Sequence, residues 1–442
     1  MATDDTASPG VLARPQPLGV FGLPAGYLLI PADPAFDEAR LALVAGHRPA
    51  AFPAGLAWYE RALDGDLDGA LAGLPSPSPS AAGDGADPLL AANRLVLDPS
   101  PDAFLQLRAD AAALADPAFA AHVDTLGFIL GLLPEPPDLM SEAVAGDAPG
   151  HQIEADGVDG EIAAMVLAAR AVLALERRDR AAAVDRLEAA AQAAHPVSAA
   201  LAGQLMGQLA NAQLDDGGTE RAAVTFEAAL DLLAGTDLHV SRAELHVAVG
   251  ALFQERSEAA PRFMAQAIDH YHQAMALVDA ATAPETFAVA NANLGLAYLM
   301  MPMNEASDQL RMGVAVQSMR EALTYFTPET HPERWSSTQL NLANALVYLP
   351  SKHQADNIAE AVGLYQEVLE QRDAERDPLG RARVLANQGN ALAHLGHLDD
   401  AASRLQEARS LFVAYDEHDA ARTVASLLDD LARHRAGLTR GA

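Results

Sequence analysis

Between residues 335 and 408 apolar and polar positions alternate at helical spacing, and the same pair of helices is written twice. In the second copy Gly389, Ala401, Leu405 and Ala408 stand 12, 4 and 3 residues apart, with small residues where two helices touch and a larger apolar one between them. The first copy puts Ala343, Ala361, Tyr365 and Val368 in the same places, with six extra residues between its helices. Four copies precede these: Ala171, Ala183, Leu187 and Ala190; Ala210, Ala222, Phe226 and Ala229; Gly250, Ala267, Tyr271 and Ala274; Gly295, Ala315, Met319 and Ala322. Repeats three, four and five carry added residues between helix A and helix B. Start-to-start spacings run from 39 to 48 residues, a period of stacked helical repeats. One hairpin cannot bury its apolar face alone, so the six are expected to stack. Gly or Ala would let helices A and B approach, and the large residue would fill the groove to the neighbouring hairpin.

The rest of the chain is attached to this array. Residues 1–32 read as a flexible or extended arm, since Pro9, Gly10, Pro15 and Pro17 break any period. Within it VFGLPAGYLLI (20–30) is the most apolar run of the N-terminal third, either a short strand or an extended segment on helices; core packing is weighed against a partner-binding strip. Residues 33–133 form an N-terminal helical region, with helices expected over 33–45, 52–63, a short piece to Leu74, 101–115 and 117–133. Proline at a first-turn position opens the last two. The stretch PSPSPSAAGDGADP (75–88) is a low-complexity loop, and residues 134–160, rich in Pro, Gly and Asp, are a linker and the expected domain boundary. The array occupies 161–418, a helix over 419–436 caps it with Val424, Leu427, Leu428 and Leu431 on one face, and 437–442 is a frayed tail. The predicted class is all-α.

Composition narrows the function. Half the residues are hydrophobic and only 5% aromatic, which favours close-packed helices over sheets. A formal charge of −31, with Lys352 the only lysine, speaks against nucleic acid and anionic membranes and favours a basic partner. The absence of cysteine excludes disulfides, thiolate metal sites and cysteine nucleophiles. The acidic start MATDDTASPG lacks the regions of a signal peptide, and no apolar run approaches a membrane span, so a soluble cytoplasmic protein is expected.

With this register the array resembles tetratricopeptide (TPR) repeats. Residues 382–415 carry the resemblance through NQGNAL, Gly396, Ala401, Leu405 and Ala408. HPERWSSTQLNLANAL (331–346) followed by QADNIAEAVGLYQEVL (354–369) is similar to the long-loop repeats of bacterial proteins found beside caspase-like (CHAT) domains, whose cysteine nucleophile this sequence lacks. The resemblance covers about residues 164–415; repeats one and two lack the Leu-Gly pair of helix A. It implies a right-handed α-solenoid of about six TPR-like hairpins whose concave face binds peptides, protein termini or helices.

Helix A would line that face. Asn293, Asn341 and Asn387 recur at one position and Asn344 and Asn390 at another, and their amides can both donate to and accept from an extended peptide. Asn344 and Asn387 match the two-asparagine part of the carboxylate clamp of some TPR repeats; Leu340 stands where that clamp has lysine, while Arg383 occupies another basic place. A structural bond between repeats is the alternative for each asparagine. Two inter-helix loops, 299–311 with Met300 and Met303 and 348–359 with Tyr348, Lys352 and His353, are a second candidate surface. His270 and His272, two apart, point to different faces and make no helical zinc pair. Neither GxxxxGK[ST] nor GxSxG is present. The expectation is a non-catalytic scaffold, adaptor or assembly factor without cofactor or metal, binding a protein or peptide. A peptide-sensing regulatory subunit is the second reading, an enzyme a distant third, and self-association through residues 20–30 a further option.

Overall fold

The computed structural model describes residues 12–75, 87–140, 152–154, 158–257, 260, 262–301, 308–372 and 375–441. The chain falls into two units, residues 1–245 and 246–442. The division lies inside a helix of repeat three.

In the first unit α1 (Asp37–Val44), α2 (Ala57–Leu63), α3 (Leu67–Gly73), α4 (Pro88–Leu97), α5 (Pro101–Leu114) and α6 (Pro117–Ile129) form the N-terminal helical region. Proline opens α4, α5 and α6 behind the capping side chains of Asp87, Ser100 and Asp116. Helix α4 was not anticipated. Repeats one and two follow as α7 (Gly160–Glu176) with α8 (Arg180–Ala194) and α9 (Ala199–Asp215) with α10 (Thr219–Leu233).

The apolar run 20–30 is core. Val20, Leu28, Leu29 and Ile30 are fully buried, Leu28 and Ile30 among Leu43, Leu56, Tyr59 and Leu126, which leaves only Leu23 as a large exposed apolar residue of the run. No strand pairs with it. Two buried amides take that place: Asn93 accepts from Leu29 N (2.7 Å) and donates to Leu29 O (2.8 Å), and Gln16 does the same to Ile30 (2.9 Å each). Residues 12–32 are thus seated in the unit, not a free arm; residues 1–11 lie outside the described residues, as do 76–86 of the low-complexity loop.

The stretch 134–160 is also engaged. Strand β1 (Asp138–Met140) pairs in parallel with β2 (Gln152–Glu154), in the register Asp138 to Gln152. Arg170 of α7 donates to Pro137 O (2.8 Å), and Arg177 pairs with Glu135. This short ladder is the only strand pairing among the described residues.

Helix α11 (His239–Arg256) carries the division, and the second unit continues with α12 (Arg262–Leu277), α13 (Pro284–Met300), α14 (Asp308–Ala322), α15 (Pro332–Tyr348), α16 (Gln354–Gln371), α17 (Pro378–His394), α18 (Leu398–Ala414) and α19 (His418–Gly441). Within this unit α13 packs on α15, α15 on α17 and α17 on α19, so successive helices A touch. Gly396 turns α17 into α18 at φ +80°, a conformation that costs glycine little. Helix α19 covers the end of the stack with Ala421, Val424 and Leu431 buried, and it remains helical through Gly441, past the point where a frayed tail was expected.

The six-fold register is visible in the packing. Every helix-B residue of the pattern is buried, from Ala183 to Ala408. Where helix A carries glycine, the large residue closes over it within its own hairpin. A Cβ on Gly250 would lie 2.5 Å from Tyr271 Cε1, one on Gly295 2.8 Å from Met319 Cγ, and one on Gly389 2.8 Å from Leu405 Cγ. Glycine is used there because the partner side chain occupies the space a methyl group needs.

Candidate binding surfaces on the helix-A faces

In the second unit the asparagines form a stagger, not two separate rows. Asn387, two residues before Gly389, donates to Asn344 Oδ1 at 3.0 Å; Asn344 is one residue after Ala343 of the preceding repeat. The same oxygen accepts the Tyr365 hydroxyl at 2.7 Å. Burial pushes the Tyr365 phenol well above its ordinary pKa, so it stays a donor through the neutral range. Asn390 reaches the Tyr348 hydroxyl at 3.4 Å.

The stagger explains which asparagines stay open. The residue equivalent to Asn344 is Leu296 in repeat four and Ala251 in repeat three, and neither can accept a bond. Asn341 and Asn293 accordingly are half-buried with side-chain amides that no described residue meets. Arg383 is exposed and unpaired among the described residues. Leu340, in the lysine place of the clamp, packs against the core. The face therefore offers two free amides and one guanidinium, while Asn344, Asn387 and Asn390 hold protein bonds.

The expected loops shrink. Met300 is the last residue of α13, half exposed, with its Sδ 3.6 Å from Gln254 Nε2; Met303 lies outside the described residues. Tyr348 ends α15 and is 60% exposed, and α16 begins at Gln354, so most of 348–359 is helix. Lys352 and His353 are exposed in the connection, His353 3.6 Å from Asp356. His270 and His272 do face apart: His270 Nδ1 lies 2.9 Å from His246 Nδ1, whereas His272 Nε2 meets the Tyr298 hydroxyl at 3.0 Å. No group of three metal-ligating side chains is assembled among the described residues, and no helix there is long and apolar enough to cross a membrane.

The first unit holds a feature that sequence reasoning missed. Residues 14–27 lie on the helix-A faces of repeats one and two. Arg14 grips the fully buried Glu161 through Nε and Nη2, both at 3.0 Å, and also pairs with Asp159. Gln204 of α9 donates to Val20 O at 3.0 Å. The crossing point is Gly19, at φ +69°, where a Cβ would fall 2.5 Å from Met165 Sδ and 2.9 Å from Leu201 Cδ1. Beside it lies a cavity of about 730 Å³ between the segment 19–27, the end of α6, and the faces of α7 and α9. One signal pointed to it: GEIAAMVLAARAVLALE of α7 is apolar nearly all round, as a helix covered on both sides must be.

No protein-family model and no curated protein matches this chain. Solved structures that resemble it include Pseudomonas aeruginosa PilF, 21% identical over 52% of this chain and 91% of that one, with a TM-score of 0.32. The apo form of RapI is 10% identical over 87% and 98%, TM-score 0.44. A tetratricopeptide repeat protein from Parabacteroides merdae is 16% identical over 61% and 99%, TM-score 0.31. At these values the likeness reaches no further than helical hairpins, and the register rests on this chain's own contacts. The array is an α-solenoid of TPR-like repeats. Its TPR-like hairpins share one small-to-large contact and differ in what covers helix A.

Proposed function

We propose that the chain is a non-catalytic scaffold or adaptor that binds a peptide segment along the helix-A face of repeats three to six. The observation that carries this reading is the staggered asparagine line. Asn344 is fixed from two sides by Tyr365 and Asn387, and the same positions one and two repeats earlier leave Asn341 and Asn293 without partners. Fixed amides with open neighbours suit an extended backbone, which presents a donor and an acceptor at each residue. Asn341 and Asn293 leave both an acceptor oxygen and a donor nitrogen open, which suits an extended backbone that offers both, whereas a carboxylate only accepts; Arg383 serves an acidic side chain or a carbonyl group. The net charge of −31 favours a partner that is basic overall, with association that weakens as salt rises.

A displayed random-peptide library selected on the full chain supplies the ligand for the test. The double variant Asn341→Ala/Arg383→Ala touches no internal bond and should weaken the selected peptide by roughly tenfold to a hundredfold, the worth of two hydrogen bonds, one of them charged. Enrichment of no peptide, or equal affinity for the variant, would remove the helix-A face as the binding surface.

A further inference from the structure

The cavity of the first unit has a chemistry distinct from the asparagine face. On α7 its wall is one stripe, Met165, Ala168, Ala169, Val172 and Glu176, at the spacing that puts residues on one helical face. Facing it are Leu201, Gln204, Leu205 and Gln208 of α9, at the same spacing. Phe21 and Tyr27 from the N-terminal segment and Phe128 from α6 add aromatic surface. The space is open: a Cβ at Gly22 or Gly131, both on its lining, would meet nothing within 4 Å.

Charge inside it has one sign and one place. Glu176 is the only charged side chain of the lining, it is exposed, and no described residue pairs with it. It is also the last residue of α7, whose final turn contains no basic residue, so its carboxylate adds to the negative end of the helix dipole. The adjacent Arg177 is occupied by Glu135. The Tyr27 hydroxyl and the Gln208 side-chain amide, both of residues on the lining, make no hydrogen bond to any described residue. The volume falls in the range of small-ligand sites, which are apolar with a few placed polar groups.

We infer that this cavity binds a hydrophobic cation: an apolar body against α7, α9 and the aromatic residues, with a protonated amine or guanidinium at Glu176. Such chemistry comes either from a small amphiphilic amine or from a peptide with an aromatic side chain beside Lys or Arg. Fluorescence of N-phenyl-1-naphthylamine on the full chain reports occupancy, with dodecylamine, dodecanoate and acetyl-Ala-Phe-Lys-Ala-amide as competitors. Dodecylamine should displace the dye at least about fivefold better than dodecanoate, and Glu176→Gln should erase most of that preference. Val172→Trp, at a position 45% exposed on the lining, should abolish dye binding with little change in the melt; Gln208→Trp, exposed on α9, repeats the test if that variant melts early. Competition by the tetrapeptide alone assigns the site to a peptide source, and by dodecylamine alone to a small amine. Absence of dye binding, dodecanoate competing as well as dodecylamine, or unchanged binding in both tryptophan variants overturns the inference.

Discussion

Repeats one and two spend their helix-A faces on the chain itself, whereas no described segment crosses those of repeats four to six. In the first unit α7 and α9 carry Met165, Ala168, Val172, Leu201 and Leu205 on that face, and the N-terminal segment crosses them at Gly19. In the second unit α13, α15 and α17 carry Asn293, Asn341, Asn344, Asn387 and Asn390, and no described segment crosses them. One hairpin scaffold thus gives two surfaces, and the side chains of helix A decide which. Apolar stripes must be covered and so recruit a segment of the chain; amide stripes hold water, or a ligand that replaces it.

The covered surface depends most on one ion pair. Glu161 is fully buried, and its charge is balanced by the two-point contact with Arg14 and by the Gln16 backbone N–H, which donates to Oε1 at 3.1 Å. Arg14→Ala leaves that carboxylate uncompensated and should cost about 3–5 kcal/mol, read as a drop in the urea midpoint. Arg14→Met with Glu161→Leu should recover most of the loss, because no charge then stays buried. A single variant of unchanged stability would mean that the segment is not seated on α7.

A second break comes from pH. His122 in α6 is buried with Nε2 unpartnered, and burial pushes its pKa down from 6.5 to about 4. Above pH 6.5 the ring is neutral folded and unfolded, so stability is complete there. As pH falls from 6.5 towards 4 the unfolded chain takes up the proton first, which removes up to about 3 kcal/mol from the first unit at roughly 1.4 kcal/mol per pKa unit. His122→Leu should flatten this part of the pH profile, measured by urea unfolding at pH 7, 5.5 and 4.5. An identical acid loss in the variant assigns the effect to carboxylates elsewhere.

Both breaks fall in the region least legible from sequence. The array register was readable because each contact repeats locally: Gly389 to Leu405 is the same step as Gly250 to Tyr271, with only the connection lengthened. The covering of repeats one and two rests on pairings such as Val20 with Gln204 and Arg14 with Glu161, which no period announces. Pro15 and Pro17 suggested a flexible or extended arm because the backbone beside them is held by distant side chains, Gln16 N by Glu161 and Pro15 O by Arg40, instead of by a strand. Helix α4 escaped notice because it follows a low-complexity run, although Asp87 and Pro88 mark its start. On the open surface the asparagine positions were legible, while their stagger was not: Asn387 meets Asn344 because successive helices A are offset, a matter of packing rather than of spacing along the chain.

The register shared by both regions is tested by a smaller effect. Ala401 is fully buried at the crossing where Leu405 closes over Gly389. Ala401→Leu should overpack it and cost about 1–3 kcal/mol in the second unit, with the melt of the first unit unchanged. An unaltered melt would disprove the crossing, since Ala401 is fully buried where Leu405 packs on Gly389.

The smallest expected stability effect separates free from fixed amides on the open surface. Asn341→Ala removes a side chain that bonds to nothing described and borders a half-open face, so unfolding should move by no more than about 0.5 kcal/mol. Asn344→Ala removes the acceptor shared by Tyr365 and Asn387, leaves a mostly buried phenol without a partner, and should cost about 1–3 kcal/mol. The two substitutions are chemically identical and three residues apart on one helix, so only the bonds they break distinguish them. Equal effects in urea unfolding would mean that the stagger does not persist in solution. A large cost at Asn341 would mean that its amide is already used for stability and is not free for a peptide.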